Sequence, residues 1–232
     1  MLSLVNNTMM QKKELTVDLL IQAAKDFCKQ ESGLYRTELF AVTDGKKVGT
    51  IVEHLFQEFL EERYSMTTGS SALGLDLPSV NTDIKVTSIV RPQSSCPYKD
   101  SKQKIYGLGY NLIVFVYQKE DDDKKKKGKL DFLSCTFINK ERTADYQTTT
   151  GLRSIIANNA NVDDVFAFLA ERNIPGDEVT LLNMAEDILK NPPEIGYLTI
   201  SNALQWRLQY GRIVNLDETV NGITPIVKYV GQ

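Results

Sequence analysis

The sequence predicts an α/β (α+β) fold in which a central mixed β-sheet is flanked by helices, with a helical C-terminal part ending in a small β-hairpin. Three observations predict it. Two early stretches carry apolar residues at helical spacing, two long middle runs are apolar and rich in aromatic and β-branched residues, and beyond about residue 150 the pattern returns to helices.

Residues 12–31 place Leu15, Leu19, Leu20, Ala23, Ala24 and Phe27 on one helical face, with Gly33 as a stop. A second helix repeats Val48, Ile51, Val52, Leu55, Phe56, Phe59 and Leu60 after the polar turn at 43–46. The Gly/Ser/Thr-rich stretch 67–74 leads to two extended segments, 75–80 and 82–89, which read as a tight hairpin around Asn81. Residues 105–117 and 130–138 suit central strands covered on both faces, and the charge block 120–128 between them reads as a solvated hairpin loop. Helices are expected over 162–172, 178–190 and 199–210, then a hairpin of 212–216 with 223–229. The expected division is a core over 1–150 and a helical C-terminal region over 151–232, which could form a winged-helix-like module or pack into the same domain.

A chain of 232 residues, 42% hydrophobic and 25% charged, buries a core without staples. The net charge of -3 gives no global sign of a nucleic-acid partner, but it is an average: residues 161–232 hold five basic against ten acidic groups, whereas 1–160 carry a net +2. Cys28, Cys96 and Cys135 are widely spaced, so a zinc site or disulfide framework is not expected. His54 is the sole histidine, which removes most Ser-His-Asp, Cys-His and two-histidine metal chemistry and leaves carboxylates and lysines. No apolar run approaches the roughly 20 residues of a membrane span. The first residues lack a basic region followed by an apolar core, so a cytoplasmic protein with no membrane partner is expected.

The chemistry concentrates in the second extended segment. Asp83 and Lys85 stand at i and i+2, on one strand face, with Ile84 and Val86 on the other. Asp76 lies seven residues earlier, close to Asp83 if the chain turns back. Adjacent carboxylates repel and normally demand a cation, and Mg2+ prefers oxygen ligands with retained waters. A solvated strand would show the same D-x-K triplet, so the preceding helix bears on the choice. With Val52 at zero, Glu53 lies at about 100° and Glu62 at about -80°, flanking opposite sides of the apolar stripe. Both compete for a place beside the site.

The order V-G-x-x-x-E on a helix (Val48, Gly49, Glu53), then Asp76, then D-x-K seven residues on (Asp83, Lys85) resembles the PD-(D/E)xK nuclease core. The closer resemblance is to the MutH-like branch and related type II restriction endonucleases, over about residues 44–117. Two positions depart from that pattern: Pro78 follows Asp76, and the triplet begins with Asp where MutH-like proteins more often carry Glu. The resemblance implies a restriction-endonuclease-like core, Asp76 and Asp83 as metal-binding carboxylates, Glu53 supporting the metal or its water, Lys85 as the catalytic lysine, and Mg2+ as cofactor. It implies a type II restriction enzyme acting on double-stranded DNA as monomer or homodimer. The alternatives are a repair nickase or structure-specific nuclease of the same fold, and a non-catalytic DNA-binding protein. Arg91, Gln93, Ser94 and Lys104 follow the triplet and suit phosphate contacts. Asn202, Gln205, Arg207 and Gln209, on the helix expected over 199–210, suit base edges.

Overall fold

The computed structural model describes residues 12–67, 74–96, 99–201 and 206–230. The chain runs β1 (Lys13–Glu14), α1 (Val17–Glu31), α2 (Gly45–Arg63), β2 (Tyr64–Ser65), β3 (Thr82–Ser88), β4 (Gln93–Cys96), α3 (Lys102–Tyr106), β5 (Asn111–Asp122), β6 (Lys127–Ile138), α4 (Tyr146–Ala157), α5 (Val162–Glu171), α6 (Glu178–Lys190), β7 (Thr199–Ile200), β8 (Trp206–Gln209), α7 (Gly211–Val214) and β9 (Ile223–Val227). The main sheet has the order β3-β5-β6-β9, with β3 parallel to β5 and the other pairs antiparallel, so it is the mixed sheet expected. A second sheet, β4-β8-β7, is antiparallel throughout.

Alternation along β5 explains why its sequence is apolar on both sides. Ile113, Phe115 and Tyr117 face α1 and α2 within one core cluster, while Leu112, Val114 and Val116 face the second sheet in another. Capping side chains start the helices: Thr16 accepts from the Leu19 N–H, Asp44 from Lys46, Asp145 from Thr148 and Asp177 from Thr180, each satisfying an amide with no partner in its own helix. A third cluster joins α4, α5 and α6 around Leu152, Val165, Leu169 and Met184. The charge block 120–128 is the tip of the β5–β6 hairpin, where Asp122 accepts from the Lys124 and Lys125 N–H groups.

Several expected elements are corrected. Residues 105–117 are not one strand: α3 ends at Tyr106, Gly107 turns the chain at φ +89°, and β5 begins only at Asn111. A Cβ at Gly107 would lie 2.4 Å from the Lys140 carbonyl oxygen, so glycine is required there. In place of a strand over 75–80, Pro78–Val80 form a 3-10 turn, and one bridge pairs Leu77 with Thr82. Pro78 fixes φ for the turn and Asn81 accepts the left-handed φ of +48°. The helix expected over 199–210 is β7 and β8, because Trp206 and Leu208 alternate inward against Arg207 and Gln209 outward. The hairpin of 212–216 with 223–229 is not formed: Gly211–Val214 is helical and β9 pairs with β6. The segments expected to supply the third helix and hairpin of a winged-helix-like module are therefore strands and one helical turn. Helix α4 was not anticipated, since its Thr148-Thr149-Thr150 run favours extended structure until the Asp145 cap is counted.

Among the described residues no helix is long and apolar enough to cross a membrane.

Candidate active site and groove

Among the described residues strand β3 is an edge of the main sheet, paired within it only with β5, and past the Leu77–Thr82 bridge its outer edge receives side chains. Asp76 takes one position on that edge, its carboxylate accepting from the Ile84 N–H at 2.7 Å. Ile84 packs into the core below α1 and α2, which fixes the opposite orientation for Asp83 and Lys85. These two form an ion pair, and Asp76 is near enough to bond the Asp83 carboxyl. The structure thus gathers the three residues that sequence spacing alone brought together.

The electrostatics follow from this crowding. Burial pushes the Asp83 carboxyl up to about 6; Lys85 pulls it down, and the Asp76 carboxylate pushes it up again. Burial opposes the Lys85 charge, but the attraction of Asp83 outweighs it and holds the ammonium above its ordinary value. Because the folded chain raises the Asp83 carboxyl, folding takes up a proton between the ordinary Asp range and about pH 6. That share of stability is present below the ordinary Asp value and is lost as pH rises through about 6. In chemical denaturation without divalent ions, the stability of wild type relative to Asp83→Asn should therefore fall by about 1–3 kcal/mol from pH 4 to pH 7. A flat or rising difference would refute the assignment.

The donor set fits a hard cation. Two carboxylates at a free strand edge leave room for the waters and phosphate oxygens that Mg2+ keeps in its shell. Among the described residues no group of three or more His, Cys, Asp or Glu is placed to hold a metal, so Glu53 does not complete a three-acid cage. Glu53 instead lines a groove of about 700 Å³ that runs from the N-terminal turns of α2 past Lys85 to β4 and Arg207. Glu62 is exposed near the far end of α2 and bonds its neighbour Arg63 at 3.0 Å. Of the two competing glutamates, Glu53 is the one on the groove. His54 is exposed on the outer side of α2.

The groove's far wall is held by hydroxyls. The buried Thr87 hydroxyl bonds the Arg91 carbonyl and both the amide and carbonyl of Gln93, each at 3.1 Å, which ties the β3–β4 turn to the strand bearing Lys85. The Tyr210 N–H donates to the Pro92 carbonyl at 2.7 Å and its buried phenol meets the Ser94 hydroxyl at 2.6 Å. Ser94, expected to contact phosphate, lines the groove with Arg91 and Gln93, but its hydroxyl is engaged with Tyr210. Cys96 is buried and bonds Tyr110, which fits a bystander thiol better than a nucleophile. Lys104 is a correction: it is 3% exposed in α3 near Asp145, and burial lowers its ammonium pKa, so it does not reach the groove. Asn202 and Gln205 lie outside the described residues, and Arg207 is exposed on β8. Sequence reasoning missed Thr87 and Tyr210. Thr87 continues the Asp83-Lys85 alternation, a signal that was present, whereas Tyr210 gave none.

The chain is 48% identical over 214 residues, 92% of its own length and 97% of the relative's, to the type II restriction enzyme NspV of Nostoc sp.. No solved structure matches it. The family described as type II restriction enzyme NspV matches residues 14–225, which include β3, the groove and the β4-β8-β7 sheet, and to this family of site-specific deoxyribonucleases the chain belongs.

Proposed function

We propose that the chain is a Mg2+-dependent type II restriction endonuclease with a PD-(D/E)xK core of the MutH-like branch, cleaving double-stranded DNA at a specific short sequence. The observation that carries this reading is the gathering of Asp76, Asp83 and Lys85 at the free edge of β3, beside a groove walled by Lys46, Arg91 and Arg207. Asp76 and Asp83 would hold the ion, with Glu53 supporting its water from α2. Bound there, Mg2+ would supply Lewis-acid charge at the scissile phosphate and make an attacking water more acidic. Lys85, oriented by Asp83, directs its ammonium at the phosphate and the approaching water. Arg91 steers the backbone into the groove. The core over 1–150 and the region 151–232 act as one unit, a reading supported by the pairing of β9 with β6. The protein works in the cytoplasm, as a monomer or homodimer.

The test is incubation with unmethylated phage DNA and Mg2+, followed by sequencing of the fragment ends. Discrete double-strand fragments with one common end sequence are expected, and chelation of Mg2+ with EDTA should abolish them. Open circles from plasmid without linear product, or cleavage that survives EDTA, would defeat the reading.

A further inference from the structure

The small sheet β4-β8-β7 has two unlike faces. Along β8, Trp206 and Leu208 are buried while Arg207 and Gln209 are exposed. The register sets Gln93 opposite Gln209, Ser95 opposite Arg207, and Gln209 opposite Thr199. Directly opposite residues share a face, so Gln93, Ser95, Arg207, Gln209 and Thr199 make one outward row. The inward row, including Cys96, Trp206, Leu208 and Ile200, belongs to the core under the main sheet.

The chemistry of the outward row is that of base reading. It holds two amides, two hydroxyls and one guanidinium, and no carboxylate, although residues 161–232 carry a net -5. Arg matches the two acceptors of a guanine edge, and Gln matches the donor and acceptor of an adenine edge. The proposed readers stand on two adjacent strands, β4 and β8, about 4.8 Å apart, and a major groove about 12 Å wide admits a two-stranded β-ribbon. The row also meets the cleavage site: Gln93, Ser95 and Arg207 line the same groove as Lys85. The Thr87 hydroxyl ties the start of β4 to β3, and Tyr210 ties β4 to the end of β8, so a ribbon seated on bases would fix the position of the phosphate at Lys85.

We propose that this ribbon is the sequence-reading element of the protein, with Arg207 reading a guanine and Gln209 and Gln93 reading adenines through the major groove. Gln93 is thereby a base reader and not a phosphate contact, and the reading rests on a ribbon where a recognition helix was expected. The inference builds on the proposed function of the groove, and its test is independent of cleavage. A random duplex pool is bound with calcium as the divalent ion, and the retained fraction is sequenced. Wild type should enrich one short motif, and Lys85→Ala should enrich the same one. Arg207→Lys, which keeps the charge but loses the two-pronged donor, should relax a guanine position by roughly 5- to 150-fold, the worth of a good bidentate contact. Gln209→Ala should relax an adenine position, and both variants should bind the unselected pool within about twofold of wild type. An unchanged motif in both variants, an equal loss of binding to all duplexes, or no motif in wild type would overturn the ribbon. A wild type that enriches a motif but fails to cut with Mg2+ would instead count against the nuclease reading and leave the ribbon standing.

Discussion

Lys85→Ala is expected to lower Mg2+-supported DNA cleavage by about a thousandfold, the scale on which loss of one preorganised charge-stabilising donor acts at a reacting centre. The cause is local. Lys85 is the partner of Asp83 at the edge of β3, and its removal leaves the Asp83 carboxyl, already pushed up to about 6, beside Asp76 with no counter-charge. The Asp83 carboxyl would then hold a proton more firmly, and no ammonium would remain there to meet the charge of the phosphate. Single-turnover cleavage of supercoiled plasmid, alongside gel-shift binding of the same DNA, separates the effects. Binding within about tenfold of wild type together with collapsed cleavage is the expected result, given that several other cations line the groove. Cleavage at near wild-type rate would remove Lys85 from the mechanism.

Phe115→Ala should destabilise the protein by about 3–5 kcal/mol, a large share of the stability a domain has to lose. Phe115 is fully buried on β5, in register with Val86 of β3, and packs its ring against Phe27, Phe56 and Phe132 at centroid separations of 5.8, 5.0 and 5.8 Å. These rings come from α1, α2 and β6, three elements that cannot close a gap left in the middle without moving the strand beside the site. The T-shaped geometry of the contacts adds to the area they bury. Urea denaturation at pH 7 measures the loss. A cost under about 1 kcal/mol would mean that the core repacks around the vacancy, contrary to the close packing of these rings.

Legibility in the sequence tracked the range of the interactions. The periods of α1, α2, α5 and α6 and the apolar run of β6 are local patterns, and they stood almost where expected, whereas the run over 105–117 divides at Gly107 into α3 and, from Asn111, β5. The spacing of Asp76, Asp83 and Lys85 was legible for the same reason: the three lie within ten residues, joined by one short turn between Asp76 and the strand. Thr199 to Tyr210 misled because the apolar residues of two short strands, read continuously, imitate a helix. Only pairing with β4, more than a hundred residues away in sequence, settles the period as two. Lys104 misled because proximity in sequence to the triplet is not proximity in space: α3 turns its side chain toward Asp145.

By itself the sequence determined the chemical types at the site, through a single histidine, an Asp-x-Lys triplet and an upstream Asp, and the class of fold, through periodicities set within a dozen residues. The tertiary structure decided three things. It chose Glu53 over Glu62 for the groove, because the residues of α2 that line it come from the helix's N-terminal half. It made β3 an edge, which opens the site. It also turned the expected helix into strands, with Arg207 lining the same groove as Lys85. Each depends on which strand lies beside which, and that is decided by burial of apolar faces from distant segments, a property that no local run of residues encodes.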